Sequence, residues 1–294
     1  MTVRIATRGS ALARWQAERV GARLAGPVEY VVVSTTGDRD QQSDLHAIGG
    51  QGVFTKEVQQ AVLDGVADLA VHSAKDLPAQ TPPGLVLAAV PERGDARDAL
   101  VGTRFDSLPT GARVGTGSVR RRAQLAAARP DITFGPLRGN IETRLRKRVE
   151  LGYDAIVVAY VALERLGLAG DASDVLDPNL LLPQVGQGAL AVECRADDKR
   201  MRTELRRIDD AIAFRTVMSE RAFLAALGGG CDLPCGALAH LDGDSIVLDA
   251  LLARLDGHVV LRTRVAGTKP VDVGETAARD LLDGKGGRAL LEAS

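Results

Sequence analysis

Cysteine is scarce in this sequence, with only 3 among 294 residues. So small and odd a number excludes a framework of structural disulfides and fits a reducing compartment. Net charge is scarce as well: 37 Lys and Arg against 38 Asp and Glu leave -1. General affinity for nucleic acid, which needs a strong basic excess, is therefore not expected. No apolar run is long enough to cross a bilayer. The opening stretch MTVRIATRGS carries no apolar signal segment. Internal repeats and low-complexity tracts are also missing. What remains reads as a cytoplasmic globular enzyme or binding protein. Its length exceeds one typical hydrophobic core, which predicts two or three domains.

The first two-thirds alternates short apolar runs with helical patterns. VRIATR, VEYVVVST, ADLAVHS, LVLAAV, ARVGTG, YDAIVVAYVAL and GALAVECR read as buried strands. They are rich in Val, Ile and Ala and show little alternation, as parallel strands covered on both faces do. Between them, Ala13, Ala17, Val20 and Leu24 share one helical face behind Ser10 as a cap. Val58, Ala61, Val62 and Gly65 repeat that spacing. So do Ile141, Leu145 and Val149, with Asn140 as cap and Gly152 as stop. This is an α/β pattern. The last third differs. Phe214, Val217, Met218 and Ala225 lie on one face of a helix that runs into Gly228. ALAHL, SIVLDALLARL and HVVLRTRV follow, separated by Asp242-Gly243 and Asp256-Gly257, which are hairpin signals. With a helix near residues 273–282 they make an α+β module.

GGGCDLPCG, residues 228–236, places two thiols and four glycines in nine positions. Glycine serves where a backbone bends sharply or is approached closely, so Cys231 is presented on a loop near a domain junction. A disulfide, a metal ligand, a nucleophile and no role at all are the alternatives. A second cluster runs from Arg120 to Arg148, where nine basic residues meet only Asp131 and Glu142. GTGSVRRR feeds a glycine turn into a helix capped by Ser118, and the free N–H groups there suit an anion. Arg predominates over Lys, and its planar fork matches carboxylate or phosphate. Arg120, Arg121 and Arg138, beside glycine turns, read as an anion site. Arg146, Lys147 and Arg148 read as a solvated helix face. AVHSAKDLP ends a strand with His72, Ser73, Lys75 and Asp76. Ligands of open α/β sheets bind beyond the carboxyl ends of strands, so Asp76 faces a cationic or N–H-bearing substrate, or else caps a helix or pairs with lysine. His72 reads as a packed core histidine.

RIATRGSALARWQA, GGQGVFTKE, ADLAVHSAKDLP, VGTGSVRRRAQL, LRGNIETRL, LPQVGQGALAVECR and LGGGCDLPCG occur in that order. Together they resemble the porphobilinogen deaminase (hydroxymethylbilane synthase) family, from Ile5 to about Ala239. The resemblance implies two lobes of the type II periplasmic-binding-protein kind around a cleft, plus a smaller α+β C-terminal domain. Residues 1–93 and 188–206 would form domain 1, 96–183 domain 2, and 211–294 domain 3. It implies a transferase of tetrapyrrole and haem biosynthesis, with no metal. Four porphobilinogen molecules are joined head to tail on a dipyrromethane primer, ammonia leaves, and hydrolysis frees hydroxymethylbilane. The position matching the thioether attachment of dipyrromethane is Cys231. Asp76 matches the catalytic carboxylate, which offsets an azafulvene cation and positive charge on the attacking pyrrole. Arg8, Arg120, Arg121, Arg138, Arg144 and Arg165 match the arginines that hold acetate and propionate groups. Ser10, Lys75, Thr116 and Ser118 match further polar contacts, and Phe54 an aromatic beside the cofactor rings. The implied partner is a small molecule, without nucleic acid or membrane, and the implied state is a monomer.

Four positions depart from the family pattern. Gln51 and Ala47 stand where many or some members have Lys. Ala162 replaces a common glycine, which narrows space near the substrate. Cys235 replaces an aliphatic residue and reads as a small buried hydrophobe. Two rivals share features of the chain. A solute-binding or effector-sensing protein would have the lobes but no reason for GGC. A zinc module would use Cys231, Cys235, His240 and His258, without the second Cys pair of a ribbon.

Overall fold

The computed structural model describes residues 2–39, 52–229 and 233–292. Cys231, Gln51 and Ala47 lie outside the described residues. Strands β1 (Val3–Arg8), β2 (Val28–Val33), β3 (Leu69–Ser73) and β4 (Leu85–Ala89) come first. β5 (Asp98–Gly102), β6 (Arg113–Gly115), β7 (Thr133–Gly135), β8 (Ala155–Ala159) and β9 (Asp174–Val175) follow, and then β10 (Leu190–Arg195). One sheet has the order β2-β1-β3-β10-β4 and the other β7-β6-β8-β5-β9. In each, a single antiparallel strand, β10 or β5, sits beside the parallel trio. The two sheets therefore share one pattern, the type II periplasmic-binding-like frame expected from the sequence. We call them lobe 1 and lobe 2.

β11 (Cys235–Asp242), β12 (Ser245–Ala253) and β13 (Val260–Gly267) form an antiparallel meander. The Asp-Gly pairs stand at its turns, with Gly243 and Gly257 at φ of 57° and 78°. The Pro270–Arg279 helix and the Ala211–Ala226 helix cover one face, burying Phe223, Ile246, Leu248, Leu252, Ala277 and Leu281. The other face meets lobe 2, where Ala123 and Leu182 pack against Leu251 and Ala253. Gly257 is needed there twice over: its φ is positive, and a Cβ would lie 2.6 Å from the Ala123 carbonyl oxygen.

Two expectations are corrected. YDAIVVAYVAL is not one strand: the chain leaves the sheet after Ala159, and Tyr160–Arg165 is helical. β2 is an edge strand with Tyr30 and Val32 exposed, not a strand covered on both faces. The predicted helices appear as Ala11–Gly21, Lys56–Leu63 and Ile141–Glu150. Ser10 accepts the Ala13 N–H and Asn140 the Thr143 N–H, so both caps act as read.

Candidate active site

The carboxyl ends of the parallel strands in both lobes open onto one cleft. Lys75, Asp76, Ser118, Arg120 and Gln184 supply its polar lining, and Val185, Leu224, Leu233 and Cys235 an apolar wall. Asp76 ends a short 3-10 turn, Ala74–Asp76, that directly follows β3. Among the described residues its carboxylate has no hydrogen-bond or ion-pair partner. Both alternative roles named for Asp76, a cap or a lysine pair, are thus unused, and the charge is available to a ligand.

The arginines divide into three settings. Arg120 and Arg121 are buried and share Asp98: Arg121 donates from Nε and Nη2 to Oδ1 at 3.1 and 2.6 Å, and Arg120 Nη2 lies 2.7 Å from Oδ2. Burial opposes ionisation of Asp98, but the two guanidiniums and the Gln187 amide outweigh it and hold the carboxyl down to about 2. Arg120 Nε is buried without an acceptor among the described residues, a donor left over for a ligand oxygen. Arg144 donates from Nε to the Gly139 carbonyl at 2.8 Å. Burial lowers its affinity for the proton, and Arg121, Arg138 and Arg8 lower it further against the pull of Asp76, to about 10. Arg144 thus feels Arg8, Arg121 and Arg138 across the cleft. Arg8 itself pairs with Asp38 at 2.5 Å and lies 4.2 Å over the Phe54 ring. Arg165 sits apart, donating to the Gly188 carbonyl at 2.8 Å and stacking 5.2 Å from Trp15.

Lys75 Nζ donates to Gln187 Oε1 at 3.3 Å. Burial and Arg121 push this ammonium down, Asp76 and Asp98 push it up, and Arg144 lowers it again; the balance falls at about 8. Ser118 Oγ accepts the Arg121 N–H at 3.4 Å, and Thr116 Oγ1 accepts the Ser118 N–H at 3.2 Å. These hydroxyls, like Ser10, shape helix entries at the cleft mouth. On the neighbouring helix Arg146 pairs with Glu150 at the surface, while Lys147 Nζ donates to the Arg138 carbonyl at 3.2 Å. Lys147 is therefore more than the solvated residue the sequence suggested.

Sequence reasoning missed Asp98, Gln187, Arg93 and Glu220. The fully buried Glu220 receives Arg93 at 2.6 and 3.2 Å and the N–H groups of Gly186 and Ala239 at 2.7 and 2.8 Å. It ties together the crossing segments and β11. Only its position inside an apolar helix face hinted at this. Ala162 packs within the lobe 2 core, and Cys235 is buried in the core behind β11, as its hydrophobic reading required. Cys235 and His240 lie five residues apart on β11, on opposite faces, with the thiol buried and the imidazole exposed. That placement disfavours a shared zinc.

The donor set suits a ligand that carries carboxylates on aromatic rings: cations and a hydroxyl from both lobes beside a patch of apolar side chains. Comparison with known proteins agrees. The family model described as porphobilinogen deaminase, dipyromethane cofactor binding domain, matches residues 3–203, and that of the porphobilinogen deaminase C-terminal domain matches 214–283. Porphobilinogen deaminase of Roseiflexus sp. (strain RS-1) is 49% identical over 99% of this chain and 98% of its own. That of Syntrophus aciditrophicus (strain SB) is 45% identical over 99% and 98%. Among solved structures, the Bordetella pertussis BvgS periplasmic VFT2 domain aligns with a TM-score of 0.43 at 14% identity, over 75% of this chain and 92% of that one. With family models covering most of its length and relatives this similar end to end, the chain belongs to the porphobilinogen deaminase family.

Proposed function

We propose a division of labour among the residues of a transferase that joins four porphobilinogen molecules into hydroxymethylbilane on a dipyrromethane primer. The observation that carries it is the Asp76 carboxylate, without a partner among the described residues, in a cleft whose other charged lining residues, Lys75 and Arg120, are cations. Departure of ammonia breaks the aminomethyl C–N bond of porphobilinogen and leaves a cation whose charge spreads over the ring nitrogen. A fixed carboxylate beside that N–H lowers the barrier to this step. When a carbon–carbon bond then forms, the attacking pyrrole must shed its α-proton, and Asp76 is placed to accept it. The dipyrromethane, when bound, supplies the nucleophilic pyrrole end.

Its acetate and propionate groups fit Arg120, Arg121, Arg138 and Arg144, with Arg8 and Lys75 from lobe 1. Ser10, Thr116 and Ser118 preserve the helix entries between them, Phe54 backs Arg8, and Arg165 holds the crossing segment at Gly188. Cys231 is the attachment residue in this reading. A thiol of ordinary pKa about 8.5 is a strong nucleophile, and a reducing, cytoplasmic setting keeps it free. Residues 1–93 with 188–206, 96–183 and 211–294 act as three units. A monomer is part of this reading.

Intact mass is the direct test. The purified protein is expected to exceed its sequence mass by two linked pyrroles, and an unmodified mass in fully active protein would overturn the reading. Cys231→Ser removes the adduct and nearly all activity, whereas Cys235→Ser keeps both.

A further inference from the structure

We infer that Asp98 positions the cations on both walls of the cleft: Arg120 and Arg121 directly, and Lys75 through Gln187. The inference rests on the cleft being the porphobilinogen site. Asp98 opens β5, the antiparallel strand of lobe 2, and is fully buried. Its Oδ1 accepts from Arg121 Nε and Nη2 and from Gln187 Nε2, the last at 2.9 Å, while Oδ2 faces Arg120. The same Gln187 nitrogen donates to the Ala96 carbonyl at 2.7 Å. Both amide protons are thereby committed to lobe 2 acceptors. The amide oxygen can only turn the other way, where it accepts from Lys75 at 3.3 Å, one residue before Asp76.

One buried carboxylate therefore sets three cations on two lobes. Two adjacent guanidiniums repel, and a shared counter-charge is what lets both stay buried. The same negative charge reaches Lys75. The charged groups acting on Lys75 are Arg121 and Arg144, which disfavour its ammonium, and Asp76 and Asp98, which favour it. Gln187 Oε1 adds an acceptor for the charged form, and the Lys75 carbonyl is itself held by Gln184 Nε2 at 3.3 Å. With the ammonium already weakened, Asp98 is one of two charges that keep it protonated at neutral pH. A growing chain that adds carboxylates at every step needs that cation each time.

Competitive acetylation of Lys75, read by peptide mass between about pH 6 and 10, reports its protonation without any turnover. Withdrawing the Asp98 charge disfavours the ammonium, so in Asp98→Asn the midpoint falls below that of the parent. A fall of half a unit raises the neutral amine near pH 7 roughly threefold. Gln187→Met, which removes the acceptor but leaves both arginine pairs, shifts it the same way, and Asp98→Glu restores the parent midpoint. Loaded with porphobilinogen, both shifted variants accumulate early intermediates in the intact-mass spectrum. Parent midpoints in folded Asp98→Asn and Gln187→Met overturn the inference. If Asp98→Asn does not fold, Gln187→Met decides alone, and an unshifted midpoint there overturns it. A parent protein without pyrrole adduct would instead sink the functional reading, since acetylation does not depend on it.

Discussion

Lobe 1 and lobe 2 share a strand order but answer their charges differently. In each, the first strand of the parallel trio, β1 or β6, runs into a serine-capped helix at the cleft, by Ser10 or Ser118. In each, the middle strand, β3 or β8, delivers a short helical turn. Lobe 1 ends that turn with Asp76, whose charge meets no partner among the described residues. Lobe 2 pairs two of its arginines internally with the one carboxylate of Asp98. The same frame thus stores a carboxylate for chemistry on one side and a carboxylate for structure on the other. The lesson is that a charge's role follows from what surrounds it and not from its place in the fold.

The largest expected effect tests the lobe 1 side. Asp76→Asn keeps the shape and loses the charge, so turnover should drop by about 10²–10³ or more while the melting temperature stays close to that of the parent. Turnover within a factor of a few would make the two carboxylates alike after all. A smaller contrast separates the arginines by exposure. Arg144→Leu removes a half-buried cation that feels Asp76, Arg121 and Arg138, and should slow porphobilinogen incorporation about tenfold, the worth of one charge-assisted contact. Arg146→Leu removes a surface partner of Glu150 and should stay within about twofold. Equal losses would argue against a localised site.

The smallest effect is thermodynamic and belongs to lobe 2. Asp98 has a folded-state pKa depressed to about 2, so its contribution is present above its unfolded value and is lost as pH falls through the folded one. Urea unfolding should show about 2 kcal/mol of stability disappearing between roughly pH 4 and 2. That slope should persist in Asp76→Asn and flatten in Asp98→Asn. A slope unchanged in Asp98→Asn would assign the acid sensitivity elsewhere.

Local features were legible in the sequence because their causes are local. Ser10, Ser118 and Asn140 cap the helices they precede, and both Asp-Gly pairs turn hairpins. Asp76 and the arginines near glycine turns could be singled out from strand ends and motif resemblance. Partnerships between distant segments could not. Nothing near Asp98 in the chain announces that Arg120, Arg121 and Gln187 converge on it, and nothing near Glu220 announces that Arg93, Gly186 and Ala239 do. YDAIVVAYVAL misled for a related reason. A continuous apolar run has no period, so the switch from strand to helix at Tyr160 is set by packing against lobe 2's core and leaves no local mark.

The placement of β10 between β3 and β4 has a consequence for how the chain is made. Every strand of lobe 2 lies between Asp98 and Val175, so that sheet is complete once a continuous stretch has been synthesised. Lobe 1 is begun first yet must wait for Leu190–Arg195, pairing across more than a hundred intervening residues. Until then β3 and β4 each present an unpaired edge, the kind of surface that recruits wrong partners. Vectorial synthesis therefore favours the later lobe as the earlier one to close, and a nascent chain stopped just before Leu190 would carry a finished sheet and an open one.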